Sequence, residues 1–143
     1  MTLISNALRE SVIERAMNRC EYCGLSQESQ VATFPVDHII PVSSRGPTTL
    51  ENLALTCTRC NALKWIHVAA RDIETGEIVR LFNPRIDSWN DHFRWNEADA
   101  TTIDTLTAIA RATADLLQLN ADYRVKIRAW LVEVGKHLPR QAD

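Results

Sequence analysis

Four cysteines, Cys20, Cys23, Cys57 and Cys60, form two Cys-x-x-Cys pairs with residues 24–56 between them. Two intervening residues let a tight turn aim both sulfurs at one ion. Two such knuckles complete a tetrahedron of thiolates, the coordination that suits Zn²⁺. A two-disulfide framework, a thioredoxin-like redox pair and incidental core cysteines are the competing readings. The redox pair needs one motif beside a βαβ pattern, and none is seen here. Structural zinc is the expectation, and a closed four-thiolate site leaves no open position for chemistry. Chemistry must come from elsewhere, and FPVDHIIPVSSRGPTTLENLALTCTRCNALK, Phe34 to Lys64, has the residue types for it. Asp37 and Asn61 offer oxygen donors, which hard divalent cations such as Mg²⁺ prefer. His38 carries an imidazole that titrates near neutral pH and can take a proton from water. In a regular strand His38 leaves the face opposite Asp37, so a local twist or bulge is expected to bring both to one cleft.

Holding these residues together takes a particular set of elements. Ser5 to Arg19 reads as a helix, capped by Ser5, with Leu8, Val12, Ile13, Ala16 and Met17 as its apolar stripe. Val31 to Pro41 and Leu50 to Thr56 read as two strands around a turn-rich stretch from Ser43 to Thr49, with Asn52 opening the second. A helix from Thr58 to about Ala70 follows, with Asn61 in its first turn. Thr75-Gly76, flanked by Ile73 and by Glu77 to Leu81, predicts a hairpin. Trp89, His92 and Trp95 read as packing or surface residues, and His67 as structural. A helix then uses Ile103, Leu106, Ile109, Ala110, Thr113, Leu116 and Leu117. Asn120 ends it and caps a last helix with the stripe Tyr123, Ile127, Trp130, Leu131, Val134 and Leu138. Arg124, Lys126 and Arg128 are assigned to the solvated face of that last helix, and His137 to its surface.

CEYCG, DHIIPVSSRG and ENLALTCTRCNALK, in that order and spacing, resemble the HNH endonucleases, whose core is the ββα-metal or His-Me finger. The likeness is nearest to the stand-alone bacterial and phage type with a four-cysteine zinc site and runs from about Cys20 to Lys64. LFNPRIDSWNDHFRW also resembles an extension found in some small bacterial HNH proteins. The resemblance implies that Asp37 binds the catalytic metal and that His38 is the general base. It also implies that Asn52 fastens the loop between the strands and that Asn61, in place of the name-giving histidine, is the second metal ligand. An amide oxygen binds more weakly than a carboxylate, so loose, Mg²⁺- or Mn²⁺-selective binding is expected. Products would carry 5′-phosphate and 3′-hydroxyl ends. Arg45, Arg59 and Lys64 are the cations nearest the motif and the candidates for phosphate contact, with Lys64 the best placed.

The fold class expected is therefore α+β: an N-terminal helix, a zinc-stapled ββα-metal finger over residues 1–70, and a largely helical extension over 71–143 packed on it. The function expected is metal-dependent cleavage of DNA. The rivals are a catalytically silent zinc module that binds nucleic acid or protein, a nuclease acting on RNA or branched DNA, and an interaction protein built around the acidic stretch from Asp72 to Asp104. The 143 residues carry 45% hydrophobic and 24% charged side chains, ordinary globular usage that excludes wholesale disorder. No apolar run reaches the roughly 18 residues of a membrane span. The first twenty residues carry charge throughout and lack an apolar leader segment, so a reducing, cytoplasmic setting is expected. The formal net charge of −2 argues at first against a nucleic-acid partner. From His38 to Arg71, however, four Lys/Arg face one acid, whereas from Asp72 to Asp104 three face eight. The acidic total does not exclude DNA, because the cations cluster at the motif.

Overall fold

In the computed structural model, which describes residues 3–136, the chain divides into two units. One runs through Val68 and takes back Asn83–Arg85; the other comprises Ala69–Phe82 and the chain from Ile86 onward. Among the described residues no helix is long and apolar enough to cross a membrane.

The first unit begins with α1, Asn6–Arg15, where the Ser5 hydroxyl oxygen accepts the Leu8 amide at 3.1 Å. Val12 is fully buried and Ala16 nearly so. The helix stops short of Arg19 because Met17 and Asn18 both turn left-handed. Their amides return to Glu14 and Ile13 carbonyls, a Schellman closure that leaves Met17 exposed instead of on the apolar stripe. The first knuckle follows, and Phe34 fills the core beside it. β1, Val36–His38, pairs antiparallel with β2, Leu53–Leu55. Both are shorter than expected: Val31 is wholly exposed, and Leu50–Asn52 is a 3₁₀ turn instead of the start of β2. α2, Thr58–Lys64, is capped by Cys57, whose sulfur accepts the Cys60 amide. It ends at Lys64 and not near Ala70, because Trp65 takes φ 46°.

In the second unit Ala69 and Ala70, expected to end the helix begun at Thr58, instead open β3, Ala69–Arg71, which pairs with β4, Ile78–Arg80. The turn between them is Asp72–Glu77, with Gly76 at φ 79°. A single helical turn, α3, Trp89–His92, leads into β5, Phe93–Trp95, which pairs with β6, Ile103–Thr105. The Phe82, Phe93, Trp89 and Trp95 rings touch in that order with centroids 5.2–5.8 Å apart, the first pair edge-on and the others tilted, so the tryptophans here are packing residues. Ile103 lies on a strand and Leu106 in the linker after it, because α4, Ala108–Leu116, starts only at its Thr107 cap. Asn120 caps nothing: its amide clamps both backbone groups of Ile103 at 2.8 and 2.7 Å, and Ala121 precedes α5, Asp122–Glu133.

On α5 Lys126 is exposed as expected and Ile127 and Leu131 are half-buried, but the rest of the expected pattern is reversed. Arg124 and Arg128 are buried, donating to the carbonyls of Leu117, Leu119 and Thr101, while Tyr123, Trp130 and Val134 are exposed. The two arginines thus satisfy the Leu117 and Leu119 carbonyls in the α4–α5 linker and the Thr101 carbonyl before β6. His137 and Leu138 lie outside the described residues.

Candidate active site

All four cysteine sulfurs are buried and lie within 4.8 Å of one another. Cys23 Sγ and Cys57 Sγ are 3.8 Å apart, close to the edge of a tetrahedron with metal–sulfur bonds of about 2.3 Å. Each knuckle is a tight turn in which the first sulfur accepts the second cysteine's amide, Cys20 from Cys23 at 3.5 Å and Cys57 from Cys60 at 3.4 Å. Burial pushes the Cys20 thiol well up, while its hydrogen bond to Cys57 holds that thiol below the usual range. Thiolates crowded this way need a cation between them, and the donor set and spacing fit zinc.

The sulfur cluster anchors the chain at both ends of the hairpin that carries the chemistry. The β1–β2 register is one-to-one, Val36 opposite Leu55, Asp37 opposite Ala54 and His38 opposite Leu53, with no bulge. The expected bulge is therefore absent, and Asp37 and His38 leave the strand on alternate sides. Asp37 points inward and is 6% exposed. Lys64, at the end of α2, places its ammonium 2.9 Å from Asp37 Oδ2 and 3.1 Å from the Ile39 carbonyl. Burial raises the Asp37 carboxyl above the usual carboxylate range, against the opposing pull of the Lys64 ammonium and the His38 imidazole. Lys64 was expected at the phosphates; with 2% exposure it is instead an internal partner of Asp37. Its charge is held inside because the buried carboxylate would otherwise be unpaired.

Asn61 lies one turn before Lys64 on the same face of α2 and is half-buried. Neither its side-chain amide nor Asp37 Oδ1 is hydrogen-bonded to the described residues, so two hard oxygen donors on facing elements stay uncommitted. That donor chemistry fits a loosely held Mg²⁺ or Mn²⁺. Lys64 against the same carboxylate weakens its hold on any second cation.

His38, the last residue of β1, is half-buried, and its Nε2 lies 2.8 Å from the Thr48 hydroxyl. Asn52 is buried and uses its whole amide on the intervening loop: Oδ1 accepts the Ile40 amide at 2.9 Å, and Nδ2 donates to the Ile40 and Pro47 carbonyls. Gly46 sits inside this closure, where an added Cβ would lie 1.7 Å from the Ile40 carbonyl oxygen. Arg45 beside it is exposed and left-handed at φ 66°, and Arg59 is exposed on α2.

Four residues in this unit carry little signal in the sequence. Thr48 reads as one more turn residue. Glu21, inside the first knuckle, accepts the Leu55 amide at 2.8 Å and pairs with Arg85, which also donates to the Leu53 carbonyl. The Asn-Pro-Arg of the extension thus braces the knuckle and β2. Arg15 of α1 donates to the Leu50 and Leu53 carbonyls.

No curated protein and no solved structure matches the chain. Residues 20–64 match the family model for HNH endonuclease. The match begins at the first cysteine of the zinc-ready cluster and ends at the lysine that grips Asp37. The ββα finger from Cys20 to Lys64, with its four-cysteine cluster, thus carries the match to the HNH endonuclease domain.

Proposed function

We propose that this chain is a metal-dependent DNA endonuclease whose active site is the β1–α2 face of the finger. One observation supports the reading: the HNH match, residues 20–64, spans the buried Asp37, the Thr48-bonded His38 and Asn61 together with the zinc-ready cysteines. His38 is the general base that takes the proton of the attacking water. With Nε2–H donated to Thr48, Nδ1 keeps the lone pair that receives it. Asn52 and Gly46 hold the loop that carries Thr48, and Lys64 fixes the Asp37 carboxylate and, through the Ile39 carbonyl, the backbone next to His38. Asp37 and Asn61 are the residues that would hold Mg²⁺ or Mn²⁺, which when bound supplies Lewis-acid stabilisation of charge on the phosphoryl and leaving oxygens. Arg45 and Arg59, both exposed, are the cations for the flanking phosphates. A reducing, cytoplasmic setting would keep four thiols available to zinc.

Supercoiled plasmid incubated with the purified protein and Mg²⁺, Mn²⁺ or chelator tests this. The expected result is divalent-dependent nicking or linearisation whose breaks DNA ligase reseals, as 5′-phosphate and 3′-hydroxyl ends require. Plasmid left intact with every metal would refute the reading.

A further inference from the structure

The residue directly after α2 sits in a conformation that its type resists. Trp65 has φ 46° and ψ −121°, and the His67 amide donates to the Lys64 carbonyl at 2.8 Å. Lys64 to His67 is thus a tight turn whose second residue occupies the region glycine adopts freely and a bulky side chain does not. The indole is 65% exposed, so most of its surface gains no packing. Its ring meets the His67 imidazole edge-on, with centroids 5.8 Å apart and planes at 80°. A strained turn that presents a largely exposed indole points to a partner outside the chain.

The surroundings narrow what that partner is. Trp65 directly follows Lys64, whose ammonium is 2.9 Å from Asp37, so the turn closes the helix that forms one side of the proposed cleavage site. From Arg59 to His67 the chain carries no acid, and Arg59 is exposed. Ile66 and Val68 are also exposed and extend the apolar surface. An exposed aromatic ring on the helix end of a proposed phosphodiester site, with an exposed arginine on the same helix and no acid between, matches how single-stranded nucleic acid is held, with bases stacked on rings and backbone met by charge. We propose that Trp65 stacks on an unpaired base of the DNA substrate beside the scissile phosphate, and that the protein therefore favours DNA with a melted or single-stranded segment there. This rests on the nuclease reading above.

The test uses the full-length zinc-loaded protein without Mg²⁺, so that DNA stays intact. Binding of a short labelled oligodeoxynucleotide, single-stranded and as its duplex, is measured by anisotropy for wild type, Trp65→Gly, Trp65→Phe and Trp130→Phe. Trp65→Gly should weaken single-strand binding by about tenfold. Trp65→Phe should keep most of it, and Trp130→Phe, at the other highly exposed tryptophan, should change nothing. Because glycine relieves the turn, the melting temperature of Trp65→Gly should equal or exceed that of wild type. Undiminished single-strand binding by Trp65→Gly would overturn the proposal, and so would a clear fall in its melting temperature, which would make the indole structural. Tighter binding of the equivalent RNA strand would overturn the assignment to DNA. If wild type cleaves plasmid while Trp65→Gly binds normally, stacking fails and the nuclease reading stands. If wild type cleaves nothing with any divalent metal, both fall.

Discussion

Thr48 gives the residue-level account its sharpest consequence. Its hydroxyl meets His38 Nε2 at 2.8 Å, and in the proposed mechanism it accepts Nε2–H and leaves Nδ1 free. Thr48→Val should lower kcat with KM little changed, whereas Thr48→Ser should restore most of the rate. Nitrogen NMR of His38 should show the Nε2–H tautomer in wild type and Thr48→Ser and a mixed population in Thr48→Val. Equal kcat for the valine variant would show that Thr48 does not position the base. The residue types of the site were legible in the sequence, because sulfur spacing, hard oxygen donors and an imidazole each imply chemistry on their own. Their partners were not. Lys64 reads as a surface cation until the fold buries it against Asp37, and only three-dimensional packing reveals that a carboxylate needs that charge.

Elements set the limits on what may change around those residues. Gly46 is required by contact, since its Cβ would meet the Ile40 carbonyl at 1.7 Å, whereas Gly76 has open space and only its φ of 79° to defend. Gly76→Ala should cost about 1–2 kcal/mol in denaturant melts. Gly46→Ala should cost distinctly more and abolish cleavage, because the loop carrying Thr48 cannot close; equal losses would contradict the close-approach account. In the second unit the β3–β4 turn is held by Asp72, which accepts the Glu74 amide and Thr75 hydroxyl and is gripped by Arg111 at 2.8 and 2.9 Å. Foremost among the causes, the Arg111 guanidinium holds the Asp72 carboxyl well below the usual range. A carboxyl depressed in the folded state contributes stability fully above its unfolded pKa of about 4, and that contribution is lost as pH falls toward the folded value. Asp72→Asn should therefore lower the melting temperature at neutral pH and flatten its decline in acid. A variant with an unaltered acid limb would remove Asp72 from the acid response. Periodicity located α4 and α5 but missed that Arg124 and Arg128 lie on the buried face of α5. Apolar spacing cannot register that loop carbonyls of Leu117, Leu119 and Thr101 call for those two donors.

Across the whole molecule the charge distribution changes meaning. Much of the acidic stretch from Asp72 to Asp104 is paired internally: Asp72 and Glu74 with Arg111, Asp87 with Arg80, and Asp104 with Arg94. It is not a free acidic face awaiting a basic partner, so the net charge of −2 says little about affinity for DNA. Zinc matters more. Purified without chelator, the protein should carry one zinc per chain, and stripping it should unfold the finger, because the tetrad closes both ends of the hairpin and the knuckles hold α2 in place. Full retention of the fold after zinc removal would refute that role.

The central claim, that His38 in this finger hydrolyses DNA, is tested most directly by one comparison. Wild type and His38→Ala, matched for zinc content and melting temperature, are assayed side by side for the rate of supercoiled plasmid loss in Mg²⁺ and in Mn²⁺. The account predicts that His38→Ala is slower by at least about a hundredfold, the contribution of a positioned general base. Equal rates for the two proteins would contradict it.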